Sequence, residues 1–215
     1  MITDDYVVLL HGIFRTNRSM KPVEKYFVKA GYQVINLSYP SLKKDIGGLA
    51  EHLHETLKTY KIDPSKKIHF IGYSLGGLIV RAYLKKYRPD NLGRVVMLGT
   101  PNQGSQVADF VQKIFFYKYL YGPAGLQLGT DQAEFEHLFG PVDYDLGIIA
   151  GNRTIDPVLS MLLPGPNDGK VTVERTKLAG MKDHIVIPVS HTFMPNKEAV
   201  KQQALHFIEH GSFLR

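Results

Sequence analysis

The chain has 215 residues, 44% of them hydrophobic and 21% charged, with a formal charge of +6 and no cysteine. That length is enough for a sizeable single core, and the absence of cysteine excludes disulfides, thiolate metal sites and a thiol nucleophile. The basic residues are scattered in pairs such as Lys43-Lys44, Lys66-Lys67 and Lys85-Lys86, so no block or motif points to nucleic acid; the surplus reads as a solvated surface, with weak attraction to anionic substrates or membrane surfaces as the alternative.

The first residues, MITDDYVVLLHG, are acidic where a secretory leader would be basic, and their apolar run is only Tyr6 to Leu10. A cytoplasmic protein without a leader or membrane span is expected. YVVLLHG reads as a buried strand ending in glycine. MKPVEKYFVKAG has a proline near its start, Val23, Tyr26 and Phe27 at helical spacing, and Gly31 as a stop. YQVINLSYP is the second strand. DIGGLAEHLHETLKTYKID sets Ile46, Leu49, Leu53, Leu57 and Tyr60 on one helical face. KIHFIG and RVVMLG are the third and fourth strands, with the helix LGGLIVRAYLKKY between them. SQVADFVQKIFF follows as a helix with Ser105 as its N-cap. Next comes a less periodic stretch, Tyr117 to Asp143, of the length often used for lids or binding loops. YDLGIIAG and HIVIPVS are the last two strands, and KEAVKQQALHFIEHG is a closing amphipathic helix.

Short apolar strands alternating with helices predict an α/β protein. We expect a three-layer α/β/α sandwich around a mainly parallel sheet of about six strands. One domain over 1–215 is expected, with a lid or substrate-binding insertion around 106–143. In open parallel sheets, ligand chemistry gathers at the carboxyl ends of the strands. Candidate residues should therefore follow strands rather than precede them.

Gly72-Tyr73-Ser74-Leu75-Gly76 fits G-x-S-x-G between a strand and a helix, where a sharp turn would project the serine hydroxyl above the sheet. A tight turn with an incidental serine is the plain alternative. Phosphate binding lacks support, since no Lys-Ser/Thr follows the glycines. An acyl-transfer site also needs two N–H donors aimed at an oxyanion. Leu75, after the nucleophile, and Ile13, after the first strand in LLHGIF, are the candidates, with Phe14 as the fallback for Ile13. His11 reads as structural.

A serine hydroxyl needs a base. His52, His54, His206 and His210 lie in helices and His69 in a strand, while His137 is in the irregular region. His184 precedes the last strand, at the wrong edge. His191 directly follows it, in PVSHTFMP, and is selected by position. Asp168 in PGPNDGKVTV is the candidate to orient it. Glu174 is the rival; Asp143, Asp145 and Asp183 precede strands. The order Ser74, Asp168, His191 is that of G-x-S-x-G hydrolases.

With these stretches assembled, the chain resembles a small serine hydrolase of the α/β-hydrolase fold, in the lipase/esterase group. LLHGIF resembles its oxyanion loop, GYSLGGLIVR its nucleophile elbow, GTPNQGS the turn after the next strand, NDGKV its acid loop and SHTFM its histidine loop. The motifs span Leu9 to Phe193. Tyr73 and Asn102 stand where many relatives have histidine, and the family's leading strands and large cap are expected to be missing. The resemblance implies a carboxylic-ester hydrolase, an esterase or lipase working through an acyl-enzyme on a small-molecule or lipid ester. It needs no metal or organic cofactor. Acyl transfer, thioester or amide hydrolysis on the same fold, or a non-catalytic lipid- or protein-binding homologue, are the alternatives. Phe14 and the aromatic-rich IFFYKYLYGPAG, through Phe115, Phe116, Tyr119 and Leu120, are candidate substrate contacts. Arg81 on the elbow helix could be structural or touch substrate.

Overall fold

The computed structural model describes residues 4–106, 108, 117–129, 138–155, 160 and 163–215. Six strands form one sheet: β1 (Tyr6–Leu10), β2 (Gln33–Leu37), β3 (Ile68–Tyr73), β4 (Leu92–Leu98), β5 (Leu146–Gly151) and β6 (Asp183–Ile187). Their order is β2-β1-β3-β4-β5-β6, and every pairing is parallel. The chain leaves β1 toward one side of the sheet and returns as β3 on the other, so β1 and β3 flank the switch point where a crevice opens.

Alternation along the strands builds two cores. Tyr6, Val8, Leu10 and Phe70 face α2 (Ile46–Lys58) and α3 (Leu75–Tyr87). Val7, Leu9, Ile71 and Tyr73 face α1 (Lys21–Lys29) and a helix near the C-terminus, Glu198–His210. This is the expected three-layer arrangement. Local chemistry sets the ends: the Asp45 carboxylate accepts the Gly48 N–H at 2.7 Å to cap α2. The final helix stops at Gly211, which takes the left-handed conformation at φ 74°.

The expected elements recur, with three differences. The stretch after Tyr117, read as irregular, carries α4 (Tyr117–Leu126); Gly122-Pro123 interrupts it, which hides its period. Gln127 Oε1 accepts the Ile46 N–H at 2.7 Å and Lys44 O accepts the Ala124 N–H at 3.2 Å, tying this segment to the start of α2. The acid-loop stretch closes with a short α5 (Val173–Thr176), which makes the Glu198–His210 helix α6. Finally, β6 starts at Asp183 and stops at Ile187, because Pro188 has no N–H to extend the ladder. His184 is therefore within β6, at its amino end, and not ahead of it. The expected helix 105–116 lies almost wholly outside the described residues. Among the described residues, no helix is long and apolar enough to cross a membrane.

His69 ties β3 to β4 and yields a prediction about acid. It is buried, its Nδ1 accepts the Arg94 N–H at 2.8 Å, and its Nε2 lies 3.8 Å from Asp5 Oδ2. Burial pulls its pKa down to about 4; Asp5 opposes that and the Arg94 charge reinforces it. The unfolded chain takes up this proton near pH 6.5, so between about 6.5 and 4 it binds more protons than the folded one. Stability is complete above that window and falls with pH through it, by up to about 3 kcal/mol from this group. Buried His11 and half-buried His184 are shifted the same way, chiefly by desolvation. Urea midpoints measured from pH 7 to 4 should fall, and His69→Gln should flatten the slope. A level wild-type profile would contradict the assignment.

Candidate active site

The carboxyl edge of β3 turns sharply into α3. Ser74 has φ 54° and ψ −121°, a conformation that strains any residue with a Cβ. Ser74 N–H donates to Leu98 O at 2.9 Å, and Thr100 Oγ1 donates to Ser74 O at 3.2 Å, so the turn is held from β4 and its loop. The glycines around it let backbones meet. A Cβ on Gly76 would overlap the Leu10 carbonyl oxygen, and one on Gly77 would overlap the Thr100 side chain.

His191 arrives from the other end of the chain. It opens a 3-10 turn, His191–Asn196, just past β6. Its Nε2 lies 3.0 Å from Ser74 Oγ and its Nδ1 2.7 Å from Asp168 Oδ2. Asp168 Oδ1 accepts the Lys170 and Val171 N–H groups at 2.9 and 2.8 Å. Its own carbonyl accepts the His191 N–H at 2.9 Å. Asp168 and His191 are both buried. Since Oδ2 only accepts, Nδ1 carries the imidazole proton and Nε2 presents its lone pair to the serine hydroxyl. The structure thus brings Ser74, His191 and Asp168 into one hydrogen-bonded line. Glu174, the rival carboxylate, is on the exposed side of α5 and pairs with Lys177 Nζ at 2.7 Å.

Ile13, on the loop after β1, and Leu75, at the start of α3, sit beside this line. β1 and β3 pair in register through Leu10 and Gly72, which brings the His11-Gly12-Ile13 loop alongside Ser74. A Cβ on Gly12 would lie 3.2 Å from Ser74 Cβ. Leu75 is the first residue of α3, whose N–H has no carbonyl one turn back inside the helix. The Arg15 N–H donates to Gly12 O at 3.2 Å and Phe14 is left-handed at φ 57°, so a tight turn fixes Ile13.

His11 is structural in this arrangement. Its ring stacks on Tyr39 at 4.0 Å, Nδ1–H donates to Gly12 O at 2.8 Å, and Nε2 accepts the Tyr39 N–H at 3.4 Å. Tyr39 Oη donates to His11 O. Burial keeps the imidazole pKa below its ordinary value, against the pull of Gly12.

Tyr39 gave no signal in the sequence. Tyr73, noted only as a replacement for histidine, donates its Oη to His191 O at 2.9 Å. Burial raises its pKa well above the usual range, opposed by Arg15, so it stays a donor. Arg81 is buried under the loop after β4, donating to Asn102 O at 3.0 Å and lying 4.2 Å from the centre of the Phe139 ring. That is a packing role. Among the candidate substrate contacts, Phe14 is exposed beside the site, while Phe115 and Phe116 lie outside the described residues. Tyr119 and Leu120 fall on α4. Among the described residues, no cluster of His, Asp and Glu could hold a metal ion.

A family model described as palmitoyl protein thioesterase matches residues 6–134 of the chain, more than half of it. The chain belongs to the palmitoyl protein thioesterase family. The matched part runs from β1 past α4 and contains Ser74; Asp168 and His191 lie beyond it. Two curated relatives of this family member are triacylglycerol lipases, from Pseudarthrobacter phenanthrenivorans and Burkholderia plantarii. Each is 31% identical over 163 residues, with 69% of this chain covered and 49% and 44% of the relatives. The chain thus spans about half the length of the curated relatives it matches. Among solved structures, the mature form of a Bacillus licheniformis lipase superposes with a TM-score of 0.77 at 19% identity. That match covers 97% of this chain and 92% of the lipase, and the shared fold is the α/β-hydrolase fold.

Proposed function

We propose that the protein is a serine carboxylic-ester hydrolase that works through an acyl-enzyme. The observation that carries this reading is the line from Ser74 Oγ through His191 to Asp168, at 3.0 and 2.7 Å, on a serine held at positive φ. In this mechanism Ser74 Oγ attacks the ester carbonyl while His191 Nε2 takes its proton. Asp168 holds the tautomer and balances the imidazolium. The Ile13 and Leu75 N–H groups receive the charge that develops on the carbonyl oxygen. His191 then protonates the departing alcohol, and a water activated by the same nitrogen releases the acid and restores Ser74.

The family match and the lipase relatives support an ester or thioester of a fatty acid as substrate. The thioester reading rests on the family description. It is separated from the ester reading by comparing an ester and a thioester of the same acyl group. The nucleophile is tested with a fluorophosphonate probe. Wild type should label stoichiometrically and Ser74→Ala should not label at all. Undiminished labelling of folded Ser74→Ala, or none of folded wild type, would overturn the proposal.

A further inference from the structure

Exposed apolar side chains and exposed cations occur together on the described loops at the carboxyl edge of the sheet. Four large apolar side chains stand out from the loops that follow strands: Phe14 after β1, Leu42 after β2, Ile155 after β5 and Phe193 after β6, at 47, 37, 63 and 53% exposure. Each has an exposed cation close by in its own loop. Arg15 and Arg18 follow Phe14, Lys43 and Lys44 follow Leu42, Arg153 comes just before Ile155, and Lys197 follows Phe193. None of these six cations forms an ion pair with an acid among the described residues.

The described acids of that edge are occupied. Asp45 caps α2, Glu24 pairs with Lys21, Asp168 is buried against His191, Glu174 pairs with Lys177 and Glu198 with Lys201. At the opposite edge Asp5, Asp90, Asp143, Asp145 and Asp183 precede or open strands, with Asp143 paired to Arg88 and Asp145 to Arg94 and Lys182. Among the described residues, the face around Ser74 thus sets unpaired cations beside exposed apolar side chains.

We infer that this face docks on an anionic phospholipid bilayer, with Phe14, Leu42, Ile155 and Phe193 entering the interface while the six cations meet lipid phosphates. Interleaved apolar and cationic groups suit a bilayer surface, where both act at once. A small soluble anion would need only the charges. The inference deepens the hydrolase reading, on which it rests for what happens after docking: the ester would be drawn from an anionic membrane. Docking itself requires no turnover.

The test uses the full chain carrying Ser74→Ala, sedimented with vesicles of phosphatidylcholine alone or mixed with phosphatidylglycerol. Binding to the mixed vesicles should exceed binding to the neutral ones by more than about 100-fold and weaken with added salt. The triple variant Lys43→Gln/Lys44→Gln/Lys197→Gln should lose about 100-fold in partitioning, at about fivefold per removed charge. In the Ser74 background it should keep wild-type turnover of a neutral, water-soluble short-chain ester, which shows that it is folded. Equal binding to both vesicles, or unchanged binding of the triple variant, would overturn the inference. So would an equal loss of turnover on a water-soluble anionic ester, since the charges would then serve a dissolved substrate. If Ser74→Ala docks as stated but wild type hydrolyses nothing, the docking face stands and the hydrolase reading falls.

Discussion

Asp168→Asn is expected to lower kcat about 10⁴-fold, while Glu174→Gln stays within about twofold of wild type as an exposed surface change. The reason is geometric. Asp168 divides its oxygens: Oδ1 accepts two backbone N–H groups and Oδ2 accepts the imidazole proton. An asparagine keeping its oxygen on the two backbone donors would turn its amide nitrogen toward His191 Nδ1. That nitrogen only donates, so the imidazole proton would have to move to Nε2. Nε2 would then donate toward Ser74 instead of accepting from it. The opposite amide orientation sets the NH₂ against the Lys170 and Val171 N–H groups, with no acceptor between them. Steady-state kinetics on one ester, with circular dichroism to show retained fold, would measure the ratio. An Asp168→Asn enzyme within tenfold of wild type, or a greater loss in Glu174→Gln, would remove Asp168 from this role.

The elements were legible in the sequence wherever packing imposes a period. β1, β3 and α3 are apolar in patterns that follow from burial on both sheet faces, and the helix over Leu75–Tyr87 matches its sequence limits. The edge on which a residue falls was legible too, since it requires only knowing whether the residue follows a strand or precedes it. That rule separates His191 from His184, and Asp168 from Asp183. What stayed hidden depends on contacts between distant segments. Nothing near Tyr39 signals that its ring stacks on His11 across 28 residues of chain. Nothing in Gln127 signals that it caps α2 from 81 residues away. α4 was missed because Gly122, with φ 64°, breaks its period to pass close to the Leu42 carbonyl. The cations that stand beside exposed apolar side chains on the loops after the strands appeared as scattered residues in the linear chain. They come together only when the loops are gathered by topology.

Gly72→Ala is expected to destabilise the fold by about 3 kcal/mol or more, lowering Tm by roughly 6–12 °C in a chain of this size. Gly72 is the last residue of β3 but one, and α3 begins three residues later. A Cβ there would stand 2.5 Å from both Cα and N of Gly77 and 2.7 Å from the Gly76 carbonyl carbon. All three are backbone atoms, so no side chain can rotate aside to make room. The helix itself would have to retreat. Its first turn is also pinned from behind, since Gly76 lies against the Leu10 and His11 carbonyls and Gly77 against Thr100. Moving α3 away would therefore disturb the β1 loop, the β4 loop and the Ser74 backbone together, and fluorophosphonate labelling should slow along with the loss of stability. Gly47→Ala is the control. Gly47 is an exposed position within α2, and its Cβ would meet only Asp45 Oδ1, at 3.9 Å. Alanine there should stabilise the protein by about 0.5–1 kcal/mol through helix propensity alone. Thermal melts of the two variants should thus move in opposite directions. A Gly72→Ala protein as stable as wild type would mean that strand and helix do not approach this closely at the nucleophile turn.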